Sequence, residues 1–362
     1  MVGLAVGRKY YSAIGGHSSP GGNAFFYEYD SATKRLRRLL DLRSILKQPK
    51  GIYTPGKIHS RLDLGRDGWL YFSTHRGSTK IAFKPGAKYG GDWILCHHIK
   101  SGKTEVVAHA PLPMQCLPAS VADPDRLIFY AGTADGLNEN PPKFLAYDLR
   151  KRLVLFSHGA GPARALIFAK SSGRIYFHDA KKGPKNLVRF DPEHPSRLPP
   201  IDASVGLRAA TMELPNGKVY TVDRDMLWEF DPQPETAREL GPTAVAGKDY
   251  ITSLDADRQT GRYLYYIPGA HGGAENDGSP LVQYDLMTRS RKVICFLHPY
   301  LRQRYGYTAM GSYSLAVSQD GSRVYATWNG NRAGPDPKRN RLRFDTCAMT
   351  AIEIPESERR NR

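Results

Sequence analysis

The sequence predicts an all-β protein built from seven repeats of one four-stranded antiparallel unit. Three observations predict it. Gly 35, Pro 26 and Tyr 21 with few long apolar runs favour many short strands separated by turns over helices. An aromatic-rich strand, in most copies following a Gly turn, recurs seven times: RKYYSAIG, GWLYFSTH, RLIFYAGT, GRIYFHDA, GKVYTVD, GRYLYYIPG and GSRVYATW. A further stretch, ending in an aromatic residue and an aspartate, recurs as FFYEYD, KFLAYD, NLVRFD, MLWEFD, LVQYD and RLRFD, closing at Asp30, Asp148, Asp191, Asp231, Asp285 and Asp345.

Each repeat reads as strands A to D, with the aromatic-rich stretch as B and the aromatic-Asp stretch as C. The second repeat shows the order: KIHSRLDL (A), the turn GRDG, WLYFSTH (B), DWILCHHIK (C), the turn SGKT and EVVAHA (D). Its C strand ends in HHIK, the one departure from aromatic-Asp. Asn-Gly and Asp-Gly at A-to-B connections suit tight hairpins because they tolerate positive φ. The repeats recur at roughly 40 to 60 residues, the spacing of propeller blades. One four-stranded sheet cannot bury both faces, whereas seven packed radially can. The expectation is a single seven-bladed β-propeller domain over residues 1–362, with blades at about 1–45, 57–112, 119–160, 164–205, 207–243, 250–300 and 311–356.

These repeats resemble the broad superfamily of seven-bladed propellers that includes YVTN-type and SMP-30-like repeats and several polysaccharide lyases. The resemblance covers nearly the whole chain and implies the fold. It implies no single activity, because this fold hosts many.

Composition narrows the partners. Lys and Arg number 52 against 35 Asp and Glu, a formal charge of +17, so the summed field favours anionic partners. The basic residues are scattered, in short clusters such as KRLRR (Lys34 to Arg38) and PKRNRLR (Pro337 to Arg343). No helix-turn-helix, RRM or zinc-finger pattern accompanies them, so nucleic acid is not the expected partner; an acidic oligo- or polysaccharide is. Four separated cysteines fit neither a CxxC metal pattern nor a disulfide framework. MVGLAVGRKYY is too short an apolar run for a signal peptide, and no stretch reaches transmembrane length. The chain opens directly in a strand, which leaves both a cytoplasmic location and a secreted or periplasmic one with a leader removed. A monomer is expected.

In a propeller the A strands line a central channel, and the ends of the B strands reach the face that usually carries the site. Those ends read His17, His75-Arg76, Asp135, His178-Asp179, Asp223-Arg224, His271 and Asn329 to Asn331, so four of the eleven histidines share one structural position. Imidazoles gathered in this way can form a metal site or an acid/base pair. His17, His75, His178 and His271 are therefore the candidate ligands of a divalent metal, although a loop histidine is more often only solvated. The A-strand starts bring His59, Arg164, Arg208, Tyr250 and Tyr313 to the same face. Arg76, Arg164 and Arg208 could clamp a carboxylate or sulfate, or serve in ion pairs with Asp179 or Asp223. Tyr313 and Asn331 complete the candidate substrate contacts. His59, His75 and Tyr250 are the candidate catalytic groups.

Other histidines carry less. Alternation sends the rings of His97 and His98 to opposite faces. The loop HGGAENDGSP lacks EF-hand spacing, and no GxSxG, HExxH, Walker or dinucleotide pattern is present.

The chemistry that this inventory fits is β-elimination on a uronate-containing glycan, which needs the carboxylate neutralised and a base placed near the adjacent carbon. Propeller-fold polysaccharide lyases use similar chemistry, but their ligand motifs do not align here residue by residue. A non-catalytic glycan- or protein-binding propeller is the alternative. A metal-dependent lactonase or hydrolase of the SMP-30-like kind ranks third, since those sites favour Glu, Asn and Asp around calcium.

Overall fold

The chain folds as a seven-bladed β-propeller. A computed structural model describes residues 3–16, 22–77, 86–135, 140–162, 164–179, 187–332 and 344–359. In sheet order, blade one comprises β1 (Gly3–Val6), β2 (Lys9–Gly15), β3 (Ala24–Asp30) and β4 (Arg35–Asp41), followed by the short helix α1 (Leu42–Ile45). Blade two comprises β5 (Lys57–Ile58) and β6 (Asp63–Leu64), both paired to β7 (Trp69–His75), then β8 (Trp93–His98) and β9 (Thr104–His109). Blade three runs β10 (Gln115–Ala122), β11 (Ile128–Asp135), β12 (Phe144–Asp148) and β13 (Leu153–His158).

Blade four shows β14 (Ile167–Ala169), β15 (Arg174–His178) and β16 (Leu187–Phe190), with a single bridge from Val188 to Pro200 in place of a fourth strand. Blade five has β17 (Ala209–Ala210), β18 (Val219–Asp223), β19 (Met226–Asp231) and β20 (Thr236–Pro242). Blade six has β21 (Leu254–Ala256), β22 (Tyr263–Tyr266), β23 (Pro280–Asp285) and β24 (Ser290–Phe296), and helix α2 (Leu297–Tyr305) follows it. Blade seven shows β25 (Thr308–Val317), β26 (Arg323–Asn331) and β27 (Thr346–Glu353). By packing, the chain divides into two compact units, Tyr11–Ser204 and Gly3–Tyr10 with Val205–Arg362.

The aromatic-Asp repeat is a turn device. Asp30, Asp148 and Asp285 each accept two backbone N–H groups, two and three residues ahead, on one carboxylate oxygen. Asp191 and Asp231 accept one, two residues ahead. This is the Asx turn that starts the C-to-D hairpin. The second oxygen pairs with the basic residue at the start of the neighbouring B strand: Arg174 with Asp191, Lys218 with Asp231 and Arg262 with Asp285. RLRFD departs from the expected pattern. Asp345 precedes β27, and β27 itself pairs with β26; there Asp345 accepts from the hydroxyl of Thr346 instead of starting a hairpin.

The aromatics of the B strands pack blade against blade. Tyr71, Ile94, Leu117, Phe129 and Tyr147 form one core cluster between blades two and three. Tyr265, Leu281, Tyr307, Leu315 and Trp328 form another between blades six and seven. A carboxylate latch recurs beside each core. Asp63 Oδ2 accepts the N–H of Ala122 at 3.0 Å, and Asp255 Oδ2 accepts that of Val317 at 2.9 Å.

Several A strands are irregular, as are five of the outer C-to-D pairings. Between the pairs Ile58 to Thr74 and Asp63 to Tyr71, the four residues His59 to Leu62 stand opposite only Phe72 and Ser73. The side chain of Ser60 replaces the lost ladder bonds, accepting from Ser73 N at 2.8 Å and donating to Ser73 O at 3.1 Å. In β10 the register shifts between Cys116 and Ala119, and in β25 between Ser312 and Ser314, which leaves Tyr313 as the extra residue. Bulges re-aim side chains and break pairing, and here they carry His59, Pro118 and Tyr313.

Candidate functional site

The first unit gathers a histidine pair within a set of cations. Lys57 lies directly opposite His75 in the pairing of β5 with β7, so the two side chains leave one face as neighbours. His59, two residues beyond Lys57, brings its ring to 5.4 Å from that of His75. Nδ1 of His59 lies 2.8 Å from the carbonyl oxygen of Pro118. A carbonyl can only accept, so Nδ1 carries the proton and the lone pair of the neutral ring sits on Nε2.

His75 has the opposite tautomer. Gly77 donates its N–H to His75 Nδ1 at 2.9 Å, which puts the ring proton on Nε2. Arg76 follows, only 4% exposed, and donates from Nη1 to Cys116 Sγ at 3.0 Å. The same Nη1 stands 3.4 Å from His75 Nε2; with that nitrogen protonated, this is a close approach of two donors. Asp92 lies in the same buried region, accepting from Thr74 Oγ1 at 2.5 Å, Tyr53 at 3.0 Å and Tyr89 at 3.2 Å.

The electrostatics follow from burial among positive neighbours. Burial holds His59 and His75 well below the usual histidine range, and the charges of Lys57 and Arg164 push both the same way. Burial also lowers Lys57 to about 8, aided by Arg164 and Arg76. Asp92 moves the other way, raised by burial to about 6 although three hydroxyls and Arg76 favour its charged form. At neutral pH the cluster therefore offers two neutral imidazoles, a cationic Lys57 and two guanidinium groups. That combination can bind an anion and accept a proton.

The second unit gathers a different set. Arg208 Nε donates to Tyr250 Oη at 2.7 Å, the ring of His271 lies 4.2 Å from that of Tyr250, and Tyr313 lies 5.8 Å beyond His271.

The sequence candidates thus fall into two groups. His59, His75, Arg76 and Arg164 belong to the first, and Arg208, Tyr250, His271 and Tyr313 to the second. Asn331 closes β26, 8% exposed, and its buried Oδ1 has no hydrogen-bond partner among the described residues. His178 ends β15 beside the buried Asp179. His17 lies outside the described residues. Sequence reasoning missed Lys57, Cys116 and Asp92. The signal for Lys57 was its place two residues before His59 at an A-strand start; Asp92 and Cys116 come together with Arg76 only through the fold.

Among the described residues no group of three or more His, Cys, Asp or Glu side chains could hold a metal ion. The charges of Lys57 and Arg164 that act on both His59 and His75 oppose a metal ion there. No helix of the described residues is long and apolar enough to cross a membrane.

No family model matches the chain, and no curated protein matches it. It is similar in fold to solved structures, among them two propellers. A 6-phosphogluconolactonase-like protein from Bacteroides uniformis is 10% identical, with a TM-score of 0.58, covering 96% of this chain and 97% of that one. An oligogalacturonate lyase in complex with manganese is 11% identical, with a TM-score of 0.57, covering 99% and 100%. A chain of the mitotic checkpoint complex is 9% identical, with a TM-score of 0.52, covering 88% and 80%. At these identities the likeness is one of fold.

Proposed function

We propose that the protein acts on an acidic, uronate-containing glycan as a lyase, cleaving it by β-elimination at the Lys57, His59, His75 and Arg76 cluster. The observation that carries this reading is the pairing of an imidazole of fixed tautomer, His59, with Lys57 and Arg164 as cations for a carboxylate. In this reading His59 Nε2 takes the proton from the carbon next to the carboxylate. The carbon–oxygen bond at the β position breaks, its electron pair goes to the glycosidic oxygen, and the Lys57 ammonium protonates that oxygen. Solvent then restores both groups. The positive charge of Lys57, Arg164 and the buried Arg76 stabilises the carbanion-like state, in the manner of preorganised electrostatic catalysis.

The substrate itself assists. Its negative charge offsets the cations that depress the histidines, so His59 becomes a stronger base once the substrate is bound. His75 holds its place through Gly77 and packs beside His59. The solved lyase to which the chain is similar was bound to manganese; this reading takes the positive charge from side chains, because the donors around His59 do not suit a metal.

The test is incubation of the purified protein with a panel of acidic glycans while following the ultraviolet absorbance of the conjugated unsaturated uronate. Product formation by the native protein and its loss in His59→Gln supports the reading. A second reading, non-catalytic binding of the same glycan, is favoured by the aromatic row of the second unit, which has the make-up of a binding surface.

A further inference from the structure

The second unit carries a row of side chains drawn from three consecutive blades. Arg208 stands immediately before β17, anchored by its N–H to Val222 O at 2.8 Å. Its guanidinium carbon lies 5.3 Å from the centroid of the Tyr250 ring, in addition to the Nε bond already described. The carbonyl oxygen of Tyr250 accepts the N–H groups of Gly269 and Ala270, both at 3.0 Å. Those two bonds fix the loop that presents His271, whose ring is tilted 33° to that of Tyr250. Tyr313 comes from the bulge of β25 and is tilted 41° to His271.

Close backbone packing sets this spacing. A Cβ on Gly311 would stand 2.6 Å from Gly269 O and 2.7 Å from Ala270 O, so only glycine lets the His271 loop lie against β25. His271 is exposed, and Arg208, Tyr250 and Tyr313 are half-buried. No carboxylate among the described residues pairs with Arg208. A row of tilted aromatic rings beside an arginine whose Nε alone is engaged by Tyr250 suits a ligand with one apolar face and one carboxylate.

We infer that Arg208, Tyr250, His271 and Tyr313 form a binding subsite for a single uronate sugar. The C–H face of the pyranose packs against this aromatic row, and Arg208 takes the carboxylate in bidentate fashion. The inference shares with the proposed function only the class of ligand; it requires no catalysis.

The test is titration of the full chain with glucuronate and galacturonate, read by ligand-observed NMR, with glucose as the neutral comparison. Free uronates lack the glycosidic leaving group, so binding is seen apart from cleavage. The native protein should bind at least one uronate, with glucose at least about tenfold weaker, and Tyr313→Ala and Arg208→Lys should each weaken uronate binding about tenfold. Arg208→Lys keeps the charge and stem, and so remains informative if Tyr313→Ala fails to fold. The inference is overturned if neither uronate binds, if glucose binds equally well, or if both substitutions leave binding unchanged. Uronate binding that weakens in Arg208→Lys and Tyr313→Ala, by a protein that releases no unsaturated product, would sink the lyase reading and uphold this one; cleavage without binding sensitivity at Arg208 and Tyr313 would do the reverse.

Discussion

Gly77 donates its backbone N–H to Nδ1 of His75, two residues behind it, at 2.9 Å. The bond depends on a backbone turn at φ of 78°, a left-handed conformation that costs a residue with a side chain about 1–2 kcal/mol. The polar end of WLYFSTHRG is thus a built corner, which fixes the tautomer of one histidine and carries Arg76 into the interior.

Gly77→Ala is expected to loosen that corner. Its thermal midpoint should fall by a margin matching about 1–2 kcal/mol, and turnover on a cleavable glycan should fall further than stability alone explains. Melting curves measured alongside turnover check this. A variant with native turnover would show that the His75 tautomer does not matter.

The rate should follow a bell against pH. Its alkaline limb lies near 8, where Lys57 loses its proton and with it the acid that serves the leaving oxygen. Its acid limb lies below the usual histidine value of 6.5, because burial and positive neighbours depress His59. In Lys57→Met the alkaline limb near 8 should vanish and the rate should fall on the order of a hundredfold. The check is the pH profile of kcat/KM for both proteins.

Folding stability should decline as the solution is acidified from neutral to about pH 5. His59 and His75 have folded values below their unfolded 6.5, so the unfolded chain binds protons that the native one refuses. Their stabilisation is present above 6.5 and is lost as the pH falls through that value. His97, His109 and His298 are lowered by burial and act in the same direction. Asp92 opposes them, since its folded value of about 6 exceeds 3.8, but it is one group against five. Urea midpoints across this range provide the measurement; a flat or rising trend would contradict the burial of neutral histidines.

Asp285 tests the repeat itself. It caps Met287 and Thr288 and receives Arg262 at 3.0 Å and 2.6 Å on its two oxygens. Asp285→Asn keeps the capping oxygen and loses the paired charge, which should cost about 1–2 kcal/mol, whereas Asp285→Ala loses both and should cost about 2–4 kcal/mol. Equal losses, read by chemical denaturation, would mean that the turn cap contributes nothing.

Much of this was legible in the sequence, for reasons that individual residues make plain. Tyr71, Phe129 and Tyr265 mark B strands because packing blade on blade demands large apolar groups at one position of each repeat. Asp148 and Asp285 mark turns because an Asx cap is local. RLRFD imitates the motif without its turn, since a pattern shared with other blades says nothing about which strand pairs with β26. His59 and His75 were legible as candidates from their places at strand ends. Their partnership was not, because it depends on the extra residues 59–62 that push His59 out of register, and no alternation rule anticipates a bulge. Arg76 read as a ligand clamp, yet it is buried against Cys116, a contact between residues forty positions apart. Grouping Tyr250 with Arg208 and Tyr313 likewise required three blades to be assembled.

The central claim is that His59 removes a proton from a uronate held by Lys57 and Arg164. The most direct measurement follows the ultraviolet absorbance of unsaturated uronate during incubation of native protein and of His59→Gln with the same acidic glycans. The account predicts product from the native protein and a rate lower by about a hundredfold or more in His59→Gln, with an unchanged fold. No product from any glycan, or equal rates in the two proteins, would contradict it.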